Sequence, residues 1–335
     1  MFSVYAYFCY TKFMIHDLII IGAGPAGSAA AIYAARKRLN TLIITPEFGG
    51  QSVVSETIYN WIGSVSIGGQ ELAENLKKHV NTNAKSVENK DSTLEIKEGS
   101  KVASIVKNEN PSTELRTSTF KVKTDTGEEY ETKTILMTAG SNRRKLEAKN
   151  ADALEHKGLT YCATCDGPMF SGADVAVIGG GNAGFESAAQ LLAYCNSVTL
   201  VNRSDTFRAD AITVEKLLKN SKFKVIKNVE ILEVKGEKFV EGLLIKDAQS
   251  GEIEDLKVTG IFVEIGQIPN TDFMKDLVTL DKIGKIKIDP WTGKTETPGI
   301  WAAGDCTNIL YHQNNIAVGD AVRALEDIYL TLHTK

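Results

Sequence analysis

Two glycine-rich turns, each set between a hydrophobic run and an alanine-rich run, constrain this chain most. The first is Gly22-Ala23-Gly24-Pro25-Ala26-Gly27, after Leu18-Ile19-Ile20-Ile21. The second is Gly179-Gly180-Gly181-Asn182-Ala183-Gly184, after Val175-Ala176-Val177-Ile178. In such a turn the first glycine allows a tight bend. The second lets backbone approach a pyrophosphate, and the third lets helix and strand pack closely. Backbone N–H groups and the helix dipole then face negative charge. Two such turns predict two dinucleotide sites. Between them stands Cys162-Ala163-Thr164-Cys165-Asp166-Gly167, a dithiol from which electrons would leave.

The elements around the turns fit this reading. Asp17–Ile21 reads as a buried strand, Pro25–Arg36 as a helix and Thr41–Ile44 as a second strand, a β-α-β unit. Leu72, Leu76 and Val80 give Gly69–Val80 helical spacing. From Ser92 to Thr138 alternating segments split by Asp125-Thr126-Gly127 predict β-hairpins. Ser141–Asn150 is polar and basic, as a linker would be. The plan then repeats: strand from Val175, helix Ala183–Tyr194, strand Val198–Val201, and hairpins ending with Glu252–Val258. Ile261–Ile265 leads to Gly266-Gln267-Ile268-Pro269-Asn270-Thr271. A late strand, Gly299–Ala303, ends in Gly304-Asp305, and a final helix is expected over Gly319–Leu332.

A chain of 335 residues suits about two domains. A net charge of −4 with short, mixed charge runs gives no nucleic-acid footprint. The cysteines are Cys9, Cys162, Cys165, Cys195 and Cys306. One close pair in an odd set fits a reducing compartment, the cytoplasm, and not a stapled secreted domain. Cys195 and Cys306 lie in apolar stretches and are expected to be buried and inert. Residues 1–13 lack the basic start and cleavage site of a signal peptide. They are also too short to span a membrane, which takes about 20 residues. Translation is expected either to begin at Met14 or to leave residues 1–13 as an extension.

Nucleotide choice should show at the end of the second strand of each unit, where an acid would accept ribose hydroxyls. The first unit has Thr45-Pro46-Glu47, its acid slightly late. The second has Asn202-Arg203-Ser204 and then Arg208, two arginines and no acid at the strand end. Arginine pairs with a 2′-phosphate through its planar fork, so NADPH is favoured over NADH. Cys162-x-x-Cys165 has no second cysteine pair and no nearby histidines, which argues against zinc and for a redox disulfide. At a helix N-terminus its thiolate would be favoured. Asp166 can move a proton to or from the leaving thiolate, or cap the helix. Gly304-Asp305 offers a carboxylate to a ribityl chain or sugar. Gly50-Gln51, Asn60 and Gln313 are placed to meet a flavin ring.

Together GAGPAG, Gly49-Gly50-Gln51, CATCDG, VIGGGNAG, GQIPNT and AAGDC resemble the low-molecular-weight prokaryotic thioredoxin reductases. They also resemble the flavoprotein subunit of alkyl hydroperoxide reductase without its N-terminal thioredoxin-like part. The likeness runs over nearly the whole chain from Met14. It implies an α/β pyridine nucleotide-disulfide oxidoreductase fold with two Rossmann-like three-layer nucleotide-binding domains, non-covalent FAD and a homodimer. Residues 14–141 and 261–335 would form a discontinuous FAD domain, and 142–260 a nucleotide domain carrying the dithiol. Matching positions for FAD are Gly22, Gly24, Pro25, Ala26, Gly27, Thr45, Gly50, Gln51, Asn60, Gly140, Gly304, Asp305, Gln313 and Asn314. Those for NADPH are Gly179, Gly181, Asn182, Ala183, Gly184, Asn202, Arg203 and Arg208.

By motif position, Cys165 would face the flavin, Cys162 would attack a protein disulfide, and Asp166 would be the acid. The implied activity is a thioredoxin-disulfide reductase passing electrons from NADPH through FAD and the dithiol to thioredoxin or a thioredoxin-like protein. One dithiol must then meet both flavin and partner, so the inserted domain would rotate about hinges near Ser141–Arg144 and Gly260–Gly266. The chain departs from the pattern at Asn202-Arg203-Ser204, where the family has a more basic run, at His312 and at Ala321. NADH or ferredoxin therefore stands as the alternative donor, and a peroxiredoxin or glutaredoxin-like protein as the alternative partner. A dithiol oxidase and a flavin-binding redox sensor are the other classes the motifs allow.

Overall fold

The computed structural model describes residues 15–55, 57–108 and 119–334, so the expectations for residues 1–13 and Met14 lie outside the described residues. The first unit runs β1 (Ile15–Ala23), α1 (Pro25–Arg36), β2 (Thr41–Phe48), α2 (Gly69–Asn83), β3 (Leu94–Glu98), β4 (Val102–Asn108), β5 (Thr119–Thr124) and β6 (Glu129–Met137). Strand β7 (Ser141–Arg143) leaves it. The second unit holds β8 (Leu159–Thr160), α3 (Ala163–Asp166), β9 (Asp174–Ile178), α4 (Asn182–Leu191), β10 (Ser197–Val201), α5 (Ala211–Leu218), β11 (Phe223–Ile226), β12 (Val229–Lys235), β13 (Gly242–Asp247), β14 (Ile253–Leu256) and β15 (Gly260–Val263). Strand β16 (Gln267–Pro269) returns the chain to β17 (Ile300–Ala302) and α6 (Asn314–His333).

The first sheet has the order β3-β2-β1-β6-β5-β4, with β17 alongside β6. Strands β1, β2, β3, β6 and β17 are parallel. A parallel strand covered on both faces must be apolar throughout, and Leu18, Ile19 and Ile20 are fully buried. Alternate residues of β1 feed two cores. Leu18 and Ile20 pack with α1 and α6, and Ile19 and Ile21 with β4, β5 and the 274–288 segment. Helix α1 starts at Pro25, whose fixed φ suits the first turn. Its small Ala26, Ala30, Ala31 and Ala34 let it lie close to the sheet and α6. The second sheet, β11-β10-β9-β15-β8, repeats the parallel plan, and β12-β13-β14 form a separate antiparallel sheet.

Several expectations need correction. The run from Ser92 is not hairpin throughout. Strand β3 pairs parallel to β2, because α2 carries the chain across the sheet before it. The strand at 261, expected to rejoin the first unit, pairs with β9 in the second sheet over Gly260–Val263. Helix α4 stops at Leu191, since the next residues turn so that the Tyr194 carbonyl accepts from Gly172 N. Helix α6 starts at Asn314, earlier than expected, and α5 was not expected at all. Its cap is Asp210, which accepts from Thr213 N.

The two units are joined by a narrow ribbon. Strands β7 and β16 pair antiparallel, with Ser141 opposite Pro269 and Arg143 opposite Gln267. Arg144 N donates to Gly266 O at 3.1 Å, and Gly266 takes φ +104, which favours glycine.

Candidate active site

The first turn is built for close backbone approach. Gly22 takes φ +100, and a Cβ there would meet the Thr138 carbonyl at 2.7 Å. A Cβ on Gly27 would sit 1.8 Å from Gly22 O, so helix and strand touch only because it is absent. Gly24 is the helix N-cap and faces the Gly50 Cα. Pro25 and Ala26 follow it as the first buried helical residues. Thr45 is engaged within the turn itself. Its hydroxyl accepts from Ala23 N at 3.2 Å and donates to Glu47 O at 2.5 Å, so it pins the turn.

Residues distant in sequence converge around this turn. Gly304 (φ +75) packs against Ala26 and Ala317, which brings Asp305 beside the turn. Asn60 donates to Gln313 Oε1 at 2.9 Å, and Ser52 Oγ donates to Asn314 Oδ1 at 3.1 Å. Gln51 donates to Asn142 Oδ1 at 3.3 Å, linking the Gly50 loop to the ribbon. Gly140 (φ +62) opens the ribbon and accepts from Asn270 N. Asp305 Oδ1 lies 3.5 Å from His312 Nδ1. Two buried atoms here, His312 Nδ1 and Asp320 Oδ2, have no hydrogen-bond partner. Orphaned polar atoms beside an open glycine turn fit a bound molecule with polar groups.

The second turn has the same logic. Gly179 takes φ +130, with the Glu264 carbonyl 2.3 Å from any Cβ, and Gly184 would clash with Gly179 O at 2.0 Å. Gly181 caps α4 over open space, and Ala183 is exposed at the helix start. Asn202 and Asn182 hold the turn together. Asn202 donates to the Ser204 and Thr206 carbonyls, and Asn182 Oδ1 accepts from Asp210 N. Arg208 N donates to Gly180 O, which folds the 202–208 loop over the turn and leaves the Arg203 and Arg208 side chains exposed. Lys227, not expected from sequence, lies over the Phe207 ring at 4.2 Å and adds a third cation.

Cys162 and Cys165 are joined as a disulfide, with Cα atoms 5.3 Å apart. Cys162 is the N-cap of α3, and Cys165 N donates to its Sγ at 3.2 Å, an interaction that would favour a thiolate. Asp166 does not cap that N-terminus; it is the last residue of the helix. Its carboxylate accepts from Thr160 Oγ1, and burial raises its pKa. Glu264 is the main residue the sequence did not reveal. Burial pushes its pKa up to about 7, while Ser187 Oγ donates to it at 2.6 Å. The Arg143 guanidinium, on the ribbon, pulls the other way on both Asp166 and Glu264. A glutamate breaking the apolar run Ile261–Ile265 is the signal that could have found it. Cys195 and Cys306 are buried, and desolvation pushes the Cys306 thiol up to about 12.

Comparison with known proteins assigns the chain to a family. The family model described as pyridine nucleotide-disulphide oxidoreductase matches residues 16–322. The chain belongs to this family. FAD and a pyridine nucleotide are the cofactors the family implies. Among curated relatives, the Bacillus subtilis protein named NADH dehydrogenase is 33% identical over 308 residues, which are 92% of this chain and 57% of that one. An alkyl hydroperoxide reductase subunit of Escherichia coli is 36% identical over 92% of this chain and 57% of its own length. The chain thus spans a little over half the length of these relatives. Thioredoxin reductase from Streptococcus pyogenes superposes with a TM-score of 0.84 at 32% identity, covering 96% of this chain and 99% of that one. Lactococcus lactis thioredoxin reductase in its FR conformation gives 0.60 at 31% identity, with 96% of this chain and 100% of that one covered. Among the described residues no helix is long and apolar enough to cross a membrane.

Proposed function

We propose that this oxidoreductase is an FAD-dependent reductase of a thioredoxin-type protein disulfide, driven by NADPH. The observation that carries the reading is the Cys162–Cys165 disulfide at a helix N-cap, with a half-buried Asp166 beside it, in a chain holding two glycine turns of the dinucleotide type. We assign FAD to the unit of β1–β6, β17 and α6, and NADPH to the unit of β8–β15. The boundary follows β15. FAD, when bound, supplies a two-electron exchange between the nicotinamide and the disulfide. The Gly22–Gly27 backbone would hold its pyrophosphate and Asp305 its ribityl hydroxyls. Arg203 and Arg208 would hold the NADPH 2′-phosphate.

The reduced dithiol then works by exchange. The Cys162 thiolate attacks one sulfur of the partner's disulfide, forming a mixed disulfide and expelling a partner thiolate, which takes the proton held by Asp166. The Cys165 thiolate attacks Cys162 Sγ, re-forms the Cys162–Cys165 bond and expels the second partner thiolate. A partner protein needs room at the dithiol, and the ribbon of β7 and β16 is the hinge that would give it. The lower superposition on one thioredoxin reductase than on another, at nearly equal identity and coverage, supports more than one domain arrangement. A homodimer is the expected assembly. The hydroperoxide reductase relatives support a second reading, in which the thioredoxin-like protein served passes electrons to a peroxiredoxin.

Anaerobic spectroscopy of the purified yellow protein tests the donor. NADPH should bleach the flavin quickly and NADH slowly. Bleaching by dithionite but by neither nucleotide would move the donor to a ferredoxin.

A further inference from the structure

Lys285 is 6% exposed, and its ammonium lies 2.5 Å from His312 Nε2. A buried cation is costly without a compensating anion. Among the described residues none forms an ion pair with it. Burial lowers its pKa, and Asp305, Asp281 and Cys306 act against that only through space. The segment is firmly held. Asp281 Oδ1 accepts from Lys285 N, and Ile286 N donates to Cys306 O, which lays Lys285 alongside Asp305. With Lys285 donating to Nε2, the imidazole's own proton is on Nδ1, facing Asp305 at 3.5 Å. That Nδ1 has no hydrogen-bond partner, and neither has Asp320 Oδ2, in a residue 7% exposed on the same side of α6. His312 directly precedes Gln313, the N-cap of the 20-residue helix α6, whose positive end faces the same space.

We propose that Lys285 is a positioning residue of the flavin site, acting through His312 and Asp305 to make bound FAD easier to reduce. The inference rests on the assignment of FAD to the first unit. A hydride carries two electrons and one proton, so a neutral isoalloxazine that accepts one gains a single negative charge. A cation held behind Asp305 and the α6 N-terminus stabilises that added charge, and His312 Nδ1–H offers it a hydrogen bond. The observation that points to a ligand is the pairing of an uncompensated buried ammonium with two orphaned polar atoms around one opening.

The test compares FAD-loaded wild type, K285M, K285R and H312Q by anaerobic equilibration against a reference dye. K285M should shift the flavin equilibrium at least tenfold towards the oxidised form, about 30 mV for a two-electron couple. K285R should stay within about threefold. Full FAD occupancy in K285M with an unshifted equilibrium would overturn the inference. Should K285M not fold, H312Q decides, because it keeps the lysine but removes the imidazole. The same direction of shift supports the relay, and a wild-type equilibrium overturns it. Wild-type protein that binds no FAD would instead overturn the flavin-site assignment beneath it.

Discussion

Glu264 turns burial into a measurable pH dependence. Its carboxyl goes from an ordinary 4.5 to about 7 on folding, because desolvation outweighs the Ser187 hydrogen bond and the Arg143 charge. At about 1.4 kcal/mol for each tenfold change, ionising it in the folded protein costs about 3 kcal/mol, taken as an upper bound. An acid whose pKa rises on folding binds its proton more tightly folded than unfolded. Its contribution is therefore intact below about 4.5, is lost as pH climbs to about 7, and stays lost above that. Glu264→Gln removes the ionisation and keeps an acceptor for Ser187. At pH 4.5 the variant and wild type should melt nearly together. At pH 8.5 the variant should be more stable by about 2–3 kcal/mol, a rise of roughly 5–10 °C for a domain of this size. Thermal melts of the same transition, read by intrinsic fluorescence across the pH series, measure the gap. A gap that does not change with pH, or a variant less stable at pH 8.5, would refute the reasoning.

Three further outcomes follow from the site. Wild type should take up four electrons per chain in an anaerobic dithionite titration, two for the flavin and two for Cys162–Cys165, and Cys165→Ser only two. Arg203→Ala and Arg208→Ala should each raise KM for NADPH roughly tenfold, the loss of about 1.4 kcal/mol from a charge-assisted hydrogen bond, and leave KM for NADH unchanged. Equal effects on both nucleotides would show that neither arginine reads the 2′-phosphate. Gln51 and Asn142 meet across the Gly50 loop and the ribbon. A verified Q51C/N142C disulfide should stop turnover with a protein disulfide while nicotinamide-dependent bleaching responds separately. Unchanged turnover would remove the need for rotation.

What was legible in the sequence is what local backbone chemistry decides. Helix α1 begins and ends where Pro25 and Arg36 place it, because a glycine turn, a proline and an alanine run leave few alternatives. Both turns fall where their glycines demand, since the positive φ at Gly22 and Gly179 excludes other residues. The dithiol is equally local: two residues lie between its cysteines, and a single helical turn closes the ring. Partner choice is not local. Strand β3 looks like one arm of a hairpin because alternation reveals a face but not a neighbour, and α2 decides the neighbour. Strand β15 carries the same apolar run wherever it pairs, and only the second sheet's open edge beside β9 decides it.

The polar residues divide along the same line, and the division says where to look for chemistry. Thr45, Asn182 and Asn202 sit where motifs place ligand contacts, yet each satisfies backbone groups of its own turn. Such residues hold the turns in shape; on the proposed reading the N–H groups they leave free would do the binding. Glu264 and Lys285 carry the opposite signal. Glu264 interrupts the apolar run Ile261–Ile265 and is half-buried, Lys285 stands in the mixed run Lys282–Ile288 and is buried, and both lack a full counter-charge at close range. Folding alone gains nothing from burying them, because an apolar residue at either position would be cheaper. A chain that keeps both, one between the second glycine turn and the hinge and one behind Asp305, has placed its two least comfortable charges beside its two glycine turns.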